Sequence, residues 1–441
     1  MREMKDSGVE WIGEIPAEWK TIRFWQGIVR LGTGLNPRDN FELSKEDDFY
    51  YVTIKSFKNG KLYLDDSCDR IDKKAWNIIQ ERSDLQKSDI LFASISKDGQ
   101  AYILESSPEN WNINESVFCI RVNQKLFFPN FFYYLITNPA YYNDLRLDAT
   151  GTTFQSIKQN KLRKSILVMP GIMQQHKIAN YLDDKCTKID AIIAKQEKII
   201  EKIKLYKSSL IMELVLGGLH ADIHMKDSGY DFIGAVPSTW SVMRLRNIGT
   251  PQNGISKGGE FFGQGFPFVS YGDVYRNFTL PKSVPGLVDS TEEEREKYSV
   301  REGDIFFTRT SETIEEVGFS CVCEKTIADA TFAGFLIRVR PKNDILYTGY
   351  AKYYFRSNHL REYLVKEMNL VTRASLGQDL LKSMPVLIPP KEEQIEIANY
   401  LDQKCERIEK QVACREQLIS KLTEYKKSLV YECVTGKKEI I

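Results

Sequence analysis

The sequence predicts a mixed α/β protein that is built twice, with a pseudo-twofold internal repeat and two long helices forming an antiparallel coiled coil. Three observations lead to this prediction: a duplicated helical motif, a duplicated motif near the start, and a shared order of strand-like segments between them. The 441 residues are also too many for one ordinary hydrophobic core and suit two domains.

The duplicated helical motif is the clearest of the three observations. Residues 175–190 read QHKIANYLDDKCTKID, and residues 394–409 read QIEIANYLDQKCERIE. An unbroken Ile-Ala-Asn-Tyr-Leu-Asp stretch occurs in both copies, which indicates an internal duplication rather than chance.

Each copy opens a long segment with the apolar spacing of a coiled coil. Alternating steps of four and three residues, begun at Ile178 and repeated through the second copy, meet eight apolar residues of ten and then seven of ten. The polar positions coincide, since Lys185 and Gln196 lie 219 residues before Lys404 and Arg415. Matched polar positions fix register, so we predict an antiparallel pair that forms a spacer rod of roughly 60 Å. The alternative is two amphipathic helices that pack separately on globular cores.

The start of the chain is also duplicated. MKDSGVEWIGEIPAEW at residues 4–19 returns as MKDSGYDFIGAVPSTW at residues 225–240. Each half therefore runs from a short motif through a variable region to a long helix. The predicted segments are two variable globular domains, 1–168 and 219–387, and two spacer helices, 169–218 and 388–436.

The variable regions share a skeleton of strands although their sequences differ. SDILFAS at residues 88–94 aligns with GDIFFTR at residues 303–309, and a polar loop follows each strand. Apolar runs before and after these strands align as well, and each region closes with helices rich in Tyr and Phe. Each variable region is therefore predicted to be a compact α/β domain.

Composition limits the classes of function. The chain has 61 basic and 60 acidic residues, so a polyanion must be held by local patches rather than by net charge. The eight cysteines form no CxxC pair, and His220 and His224 lack an HExxH frame, so no metal site is predicted. The charged start, MREMKDSG, does not resemble a signal peptide, and a cytoplasmic protein without a membrane partner is expected.

Two similar frames that carry dissimilar loops at the ends of a rigid spacer suit a protein that reads two short DNA sequences at a fixed separation. Arg, Lys, Gln, Asn, Ser and Thr are the side chains that contact base edges and phosphates. The alternative is that these loop residues are merely solvated. The candidate DNA-binding residues are Lys55, Ser94, Ser96, Lys97, Thr152, Thr153, Gln155 and Lys158 in the first half, and Arg276, Thr308, Arg309, Thr310, Thr372, Arg373 and Gln378 in the second.

These motifs together resemble the specificity subunit of type I restriction-modification systems. The resemblance covers essentially the whole chain: a start like GVEWIGEIPAEW, a strand like GDIFFTR and a helix with QxxIANYLDxKCxxI, each present twice. It implies a non-catalytic DNA reader whose two target-recognition domains each read one half of a split, asymmetric site. The assembled complex would be a site-specific deoxyribonuclease and adenine methyltransferase.

The resemblance also implies partners. The paired helices would dock two methyltransferase subunits, and ATP-dependent restriction subunits would join them. S-adenosylmethionine, ATP and magnesium would then be bound by partner chains, with no cofactor in this one. The subunit-interface residues implied are Tyr181, Leu182 and Asp183, with their equivalents Tyr400, Leu401 and Asp402.

Two alternatives remain at this level. An adenine methyltransferase needs a FxGxG-like cofactor turn and an NPPY-like turn; residues 261–265 and 138–141 approach them by letter, but without the strand-turn-helix context. A pure scaffold holding proteins at both ends of a rod would use the same helices, yet it predicts apolar or charge-complementary loops where polar ones stand. No GxxxxGK[ST] loop is present, and Asp183-Asp-Lys185 fits a coiled coil better than a nuclease DxK motif.

Overall fold

The computed structural model describes residues 2–38, 40–58, 60–95, 99–146, 156–220, 223–311, 317–367 and 374–440. The chain forms two compact units, unit 1 (Met1–Gln196 with Glu416–Ile441) and unit 2 (Glu197–Arg415). These bounds differ from the predicted segments, because each unit contains one variable region together with part of both long helices.

Unit 1 begins with short strands and ends in a long helix. Its strands are β1 (Met4–Asp6), β2 (Glu14–Pro16), β3 (Lys20–Arg23), β4 (Ile28–Thr33), β5 (Phe49–Val52), β6 (Phe57–Lys58), β7 (Lys61–Leu62), β8 (Asp69–Ile71), β9 (Ile90–Ala93), β10 (Ala101–Ile103), β11 (Trp111–Ile113), β12 (Val117–Val122) and β13 (Ile166–Met169). Its helices are α1 (Lys73–Ser83), α2 (Pro129–Ile136), α3 (Pro139–Arg146), α4 (Gln159–Lys164) and the start of α5 (Ile172–Gly217).

Unit 2 repeats this plan. Its strands are β14 (Met225–Asp227), β15 (Ala235–Pro237), β16 (Ser241–Arg244), β17 (Gly249–Asn253), β18 (Phe262–Val269), β19 (Leu287–Val288), β20 (Ile305–Thr308), β21 (Thr310–Ser311), β22 (Ser320–Val322), β23 (Thr331–Phe332), β24 (Leu336–Pro341), β25 (Ala374–Ser375) and β26 (Pro385–Ile388). Its helices are α6 (Leu245–Ile248), α7 (Tyr271–Arg276), α8 (Glu292–Lys297), α9 (Thr348–Tyr354), α10 (Asn358–Glu367), α11 (Gln378–Ser383) and the start of α12 (Lys391–Val434).

The two units have the same sheet topology. A four-stranded sheet has the order β10-β9-β12-β4 in unit 1 and β22-β20-β24-β17 in unit 2, and a three-stranded sheet lies beside it in each. Two-stranded ladders, β3 with β13 and β16 with β26, close each variable region just before its long helix. The mixed α/β class and the internal repeat are therefore confirmed in three dimensions.

The duplicated start folds as a β-hairpin, β1 with β2 and β14 with β15. In both copies the motif aspartate accepts a hydrogen bond from the glycine two residues later, 3.0 Å for Asp6 and 2.9 Å for Asp227. Those glycines have φ of +72° and +77°, a left-handed conformation that favours glycine. Trp19 and Trp240 follow the hairpins and are fully buried, so the motif serves packing.

The buried face of each long helix is shifted from the predicted one at every second position. The covered positions step by four and then three, with the two helices 219 residues apart: Leu182, Cys186, Ile189, Ile193, Gln196, Ile200, Ile203, Lys207 and Leu210 in α5, and Leu401, Cys405, Ile408, Val412, Arg415, Ile419, Leu422, Lys426 and Leu429 in α12. The predicted Ile192 and Tyr206 are instead 45% and 57% exposed. Lys185 and Lys404 are not seam residues, since their ammonium groups lie over the rings of Tyr181 and Tyr400.

In unit 1 the two helical segments run antiparallel. Lys426 Nζ lies 2.7 Å from each carboxylate oxygen of Asp190. Further along α5 toward its start, Tyr181 has Lys438 Nζ 5.9 Å from its ring centre. The partner's numbering therefore rises while that of α5 falls.

Unit 2 contains the equivalent pairing. Lys207 Nζ donates a hydrogen bond of 2.6 Å to Glu409, and His220 Nε2 lies 3.8 Å from Glu396. Lys207 and Glu409 stand 219 residues from Lys426 and Asp190, so one ion pair is used twice with the roles of the helices exchanged. The predicted antiparallel pairing is confirmed within each unit.

Each unit has its own large core. The unit 1 core joins the first hairpin, α2, the start of α5 and the end of α12, and the unit 2 core joins the corresponding elements. Smaller clusters lie under the three-stranded sheets. Within the described residues, no helix is long and apolar enough to cross a membrane.

One buried titratable group in unit 2 makes stability depend on pH. His359 is 5% exposed beside Phe232 and Tyr354, and neither ring nitrogen has a hydrogen-bond partner among the described residues. Burial lowers the pKa of His359 to about 4, because the charged imidazolium would lose its hydration.

The unfolded chain therefore binds the proton more readily, and stability is lost as pH falls from about 6.5 toward about 4. Between pH 6.5 and 5 the free energy of unfolding of unit 2 should fall by up to about 2 kcal/mol. His359→Phe should remove that part of the pH dependence in urea titrations, whereas replacement of the exposed His220 by Gln should leave it. Equal pH dependence in the wild type and His359→Phe would contradict this assignment.

Candidate nucleic-acid interface

Polar side chains gather at one edge of unit 2 where three chain segments meet. We call Asn253, Arg309, Thr310, Ser375 and Gln378 the unit 2 loop cluster. Strand β20 leads directly into Arg309, and Thr310 pairs with Ser375 in the ladder of β21 and β25. Gln378 Nε2, at the start of α11, donates a hydrogen bond of 3.0 Å to Asn253 Oδ1 at the end of β17. The predicted residues Arg309, Thr310 and Gln378 are thus brought together.

Backbone contacts hold Arg309 in place. Its N–H donates to Phe335 O over 2.8 Å, and its carbonyl accepts from Leu376 N–H over 2.7 Å. The guanidinium reaches Gly334 O at 3.5 Å and remains half-buried. A cation on a fixed backbone with a partly free guanidinium suits recognition of guanine or phosphate.

The corresponding edge of unit 1 is an arginine-rich groove. Arg30, Arg82, Gln159 and Arg163 line it with residues 29 and 31–33 of β4, around a volume of ≈ 440 Å³. Arg30 Nη2 donates to the Arg82 carbonyl over 2.8 Å, which orders the two side chains. Three guanidinium groups in one open groove favour an anionic ligand such as a phosphate backbone.

A second basic cleft lies beside this groove on α4. Lys158, Lys161 and Lys164 line it together with Asp144, around a volume of ≈ 470 Å³. Lys158 is exposed and precedes the first residue of the helix. Of the unit 1 candidates, it is the one placed in a basic cleft.

Two of the predicted DNA-binding side chains are buried within their own unit. Ser94 is 2% exposed, and its hydroxyl donates to Ser116 O over 2.8 Å. Thr308 is fully buried, and its hydroxyl accepts from Phe319 N–H over 2.9 Å. Both side chains tie the ends of core strands to their neighbours, so we leave them out of the DNA surface.

The remaining candidates are not joined in one place. Lys55 is exposed on a short 3-10 turn after β5, and Arg276 is exposed at the end of α7. Seven candidates lie outside the described residues, namely Ser96, Lys97, Thr152, Thr153, Gln155, Thr372 and Arg373.

The comparisons with known proteins agree with this duplicated plan. A family model described as the type I restriction modification DNA specificity domain matches residues 16–205 and again residues 237–415. The chain belongs to this family. It is the non-catalytic specificity subunit of a type I restriction-modification complex, and the cofactors belong to partner subunits.

Curated relatives and a solved structure extend along nearly the whole specificity subunit. It is 24% identical over 91% of its length to the EcoKI specificity subunit of Escherichia coli K12, covering 85% of that protein. It is 25% identical over 97% of its length to the putative MjaX specificity subunit of Methanocaldococcus jannaschii, covering 95% of it. A chain from a structural study of type I R-M complex assembly and conformational transition shares the fold at a TM-score of 0.70, with 16% identity over 96% of this chain and 99% of that one.

Sequence reasoning missed several residues of the interface in the specificity subunit. Gln159 lies 219 residues before Gln378, so the repeat that pointed to one could have pointed to the other. Arg30 and Arg82 had no such signal, because a strand residue and a helix residue meet only through tertiary packing. Asn253 and Ser375 were missed for the same reason.

The repeated Tyr-Leu-Asp of the long helices has three separate roles. Leu182 and Leu401 are fully buried in the unit cores, so we leave their side chains out of the subunit interface. Asp183 accepts hydrogen bonds from Tyr134 Oη at 2.7 Å and Asn130 Nδ2 at 3.1 Å. Burial and this contact with Asp183 raise the pKa of Tyr134, so its phenol remains a proton donor.

The second copy repeats this anchoring. Asp402 accepts from Tyr353 Oη at 2.6 Å and lies 2.7 Å from Lys352 Nζ. Tyr181 and Tyr400 remain at the surface, half-buried and 37% exposed, and they are the members of the motif that a partner could contact. The aspartates instead hold each long helix to the aromatic helix of its own unit.

The glycines of the FFGQG stretch also have a structural explanation. Gly263 and Gly265 lie within strand β18 and have φ of +93° and +92°. The ladder between β18 and β19 shifts register there, and a Cβ on Gly265 would stand 2.6 Å from Val288 O. The stretch is a β-bulge, which requires glycine, and does not have the strand-turn-helix geometry of a cofactor loop.

Proposed function

We propose that unit 1 and unit 2 each read one half of a bipartite, asymmetric DNA site. The supporting observation is that both units have the same sheet order but different side chains at the same edge: arginines in the unit 1 groove, and Arg, Thr, Ser and amides in the unit 2 loop cluster. A common frame with different polar contacts is what reading two different sequences requires.

Co-expression with a type I methyltransferase subunit tests this proposal. N6-methyladenine mapped across host DNA should reveal a two-part motif that depends on this chain. If the purified complex contains the chain and methylation does not change, the protein is a scaffold rather than a reader.

Arg309→Ala is expected to alter only the half of the motif that unit 2 reads. A lost arginine contact with a base should lower methylation of the original site about 10-fold or more and relax one position. Mapping of methylated sites measures both effects. Gln159→Ala provides the opposite arm, because it should alter only the other half.

Arg301→Ala is the matched control, since Arg301 is exposed in the same unit on the turn before β20. It should leave the motif unchanged. Identical motifs for the wild type and Arg309→Ala would remove Arg309 from the proposed surface, and equal changes in both halves would contradict the division between units.

We further propose that two methyltransferase subunits dock on equivalent surfaces, one around Asn180 and Tyr181 and one around Asn399 and Tyr400. These side chains are at the surface and repeated 219 residues apart, although packing does not require them. The restriction subunits would join through this complex. Native mass spectrometry of the co-purified complex decides the number, and one methyltransferase subunit per chain would contradict it.

A further inference from the structure

We propose that Phe335 makes an apolar contact with a thymine methyl group in the half-site read by unit 2. This inference rests on the proposed function of the unit 2 loop cluster and adds a specificity-determining residue to it. Phe335 is 61% exposed, although it directly precedes the buried Leu336 at the start of β24.

The backbone corner that carries Phe335 is held on three sides. Phe335 O accepts from Arg309 N–H over 2.8 Å. Gly334 N–H donates to Ile255 O over 2.7 Å, and Ala333 N–H donates to Val269 O over 3.0 Å. The aromatic ring therefore projects from an ordered backbone, and its contact with a ligand would cost little backbone entropy.

The equivalent corner in unit 1 shows that the fold does not require an aromatic side chain. Leu336 pairs with Thr308 as Val117 pairs with Ala93, so Ser116 occupies the position of Phe335. Ser116 O accepts from Ser94 N–H over 2.9 Å, which repeats the contact between Arg309 and Phe335. The same corner thus forms with serine, and the ring at Phe335 has no packing role that the repeat shares.

The surroundings of Phe335 point to a base edge as its partner. Arg309 is directly hydrogen-bonded to it, and the rest of the unit 2 loop cluster adjoins Arg309 through Thr310, Ser375 and Leu376. Arginine, glutamine and asparagine are major-groove readers, and the group that the major groove offers to an apolar side chain is the C5-methyl of thymine.

Phe335→Ser tests the inference with the residue that the repeat itself uses. In the complex with the methyltransferase, binding to the mapped duplex should weaken about 10-fold, with one thymine position relaxed in the unit 2 half. Deoxyuridine at that thymine should weaken wild-type binding about 4-fold, the effect of one methyl group, and should not weaken Phe335→Ser further.

Leu287→Ser is the control, because it removes another exposed apolar side chain of unit 2 from strand β19. It should bind like the wild type, and thermal unfolding should show that both variants are folded. Unchanged binding by Phe335→Ser, or no effect of deoxyuridine at any thymine of that half, would overturn the inference. If Arg309→Ala changes the half-site and Phe335→Ser does not, the proposed function stands and this inference fails; if neither changes it, both fail.

Discussion

Asp304→Asn is expected to lower the free energy of unfolding of unit 2 by about 3 kcal/mol. Asp304 is fully buried at the start of β20, where its carboxylate accepts from Arg340 Nε at 2.7 Å and Nη2 at 2.6 Å. It also accepts from the Arg301 N–H at 2.7 Å. Asparagine would remove the negative charge and turn an amide N–H toward one of these donors. Arg340 keeps 29% side-chain exposure, so the cost should lie at the low end for a broken buried pair.

Calorimetry should show this loss as a fall of about 6–12 °C in the Tm of unit 2. Asp379→Asn is the matched control, because Asp379 pairs with Lys382 at 3.1 Å while 98% exposed, and such pairs contribute under about 1 kcal/mol. Equal effects of the two variants would show that the Asp304 pair does not stabilise the unit. The equivalent Asp89 pair with Arg121 explains why aspartate recurs in both strand motifs.

Gln394→Leu is expected to destabilise unit 2 by a similar amount, about 3 kcal/mol. Gln394 is fully buried at the start of α12 and joins the helix to two other segments. Its Nε2 donates to Ile345 O and to Pro389 O, each over 2.9 Å, and its Oε1 accepts from Tyr347 N–H over 2.7 Å. Leucine would leave three buried backbone groups without partners, and each costs about 1–3 kcal/mol.

Hydrogen exchange measures this effect by region. Backbone amides of α9 and of the start of α12 should exchange faster in Gln394→Leu, while those of unit 1 should not change. Gln403→Leu is the control, since Gln403 is exposed on the same helix. Protection of α9 equal to the wild type would contradict the role assigned to Gln394. Gln175 makes the same three contacts in unit 1, at 2.8, 2.8 and 2.9 Å.

The phase of the long helices shows where sequence periodicity is insufficient. Ile192 and Ile193 are adjacent, as are Ile199 and Ile200, so two step patterns through α5 meet nearly the same number of apolar residues. The structure covers Ile193 and Ile200, because the buried face is set by what the partner helix and the unit core contact. Cys186 and Cys405 thereby take the seam positions that were predicted for Lys185 and Lys404.

Burial at the ends of strands was equally hard to predict. Ser94 and Thr308 follow apolar strands in polar loops, and their residue types suit DNA contact and backbone capping alike. Only the positions of Ser116 O and Phe319 N–H show that their hydroxyls are used internally. Arg309 and Thr310, the next residues along the chain in unit 2, remain at the surface.

The sequence by itself determined the duplication, the α/β class, the antiparallel pairing of the long helices and the family, because each of these is carried by motifs that recur in order along the chain. Tertiary structure alone decided which helix face is buried and which polar residues share an edge of each unit. Those properties depend on contacts between residues far apart in sequence, such as Arg30 with Arg82 and Asn253 with Gln378, which no local pattern encodes.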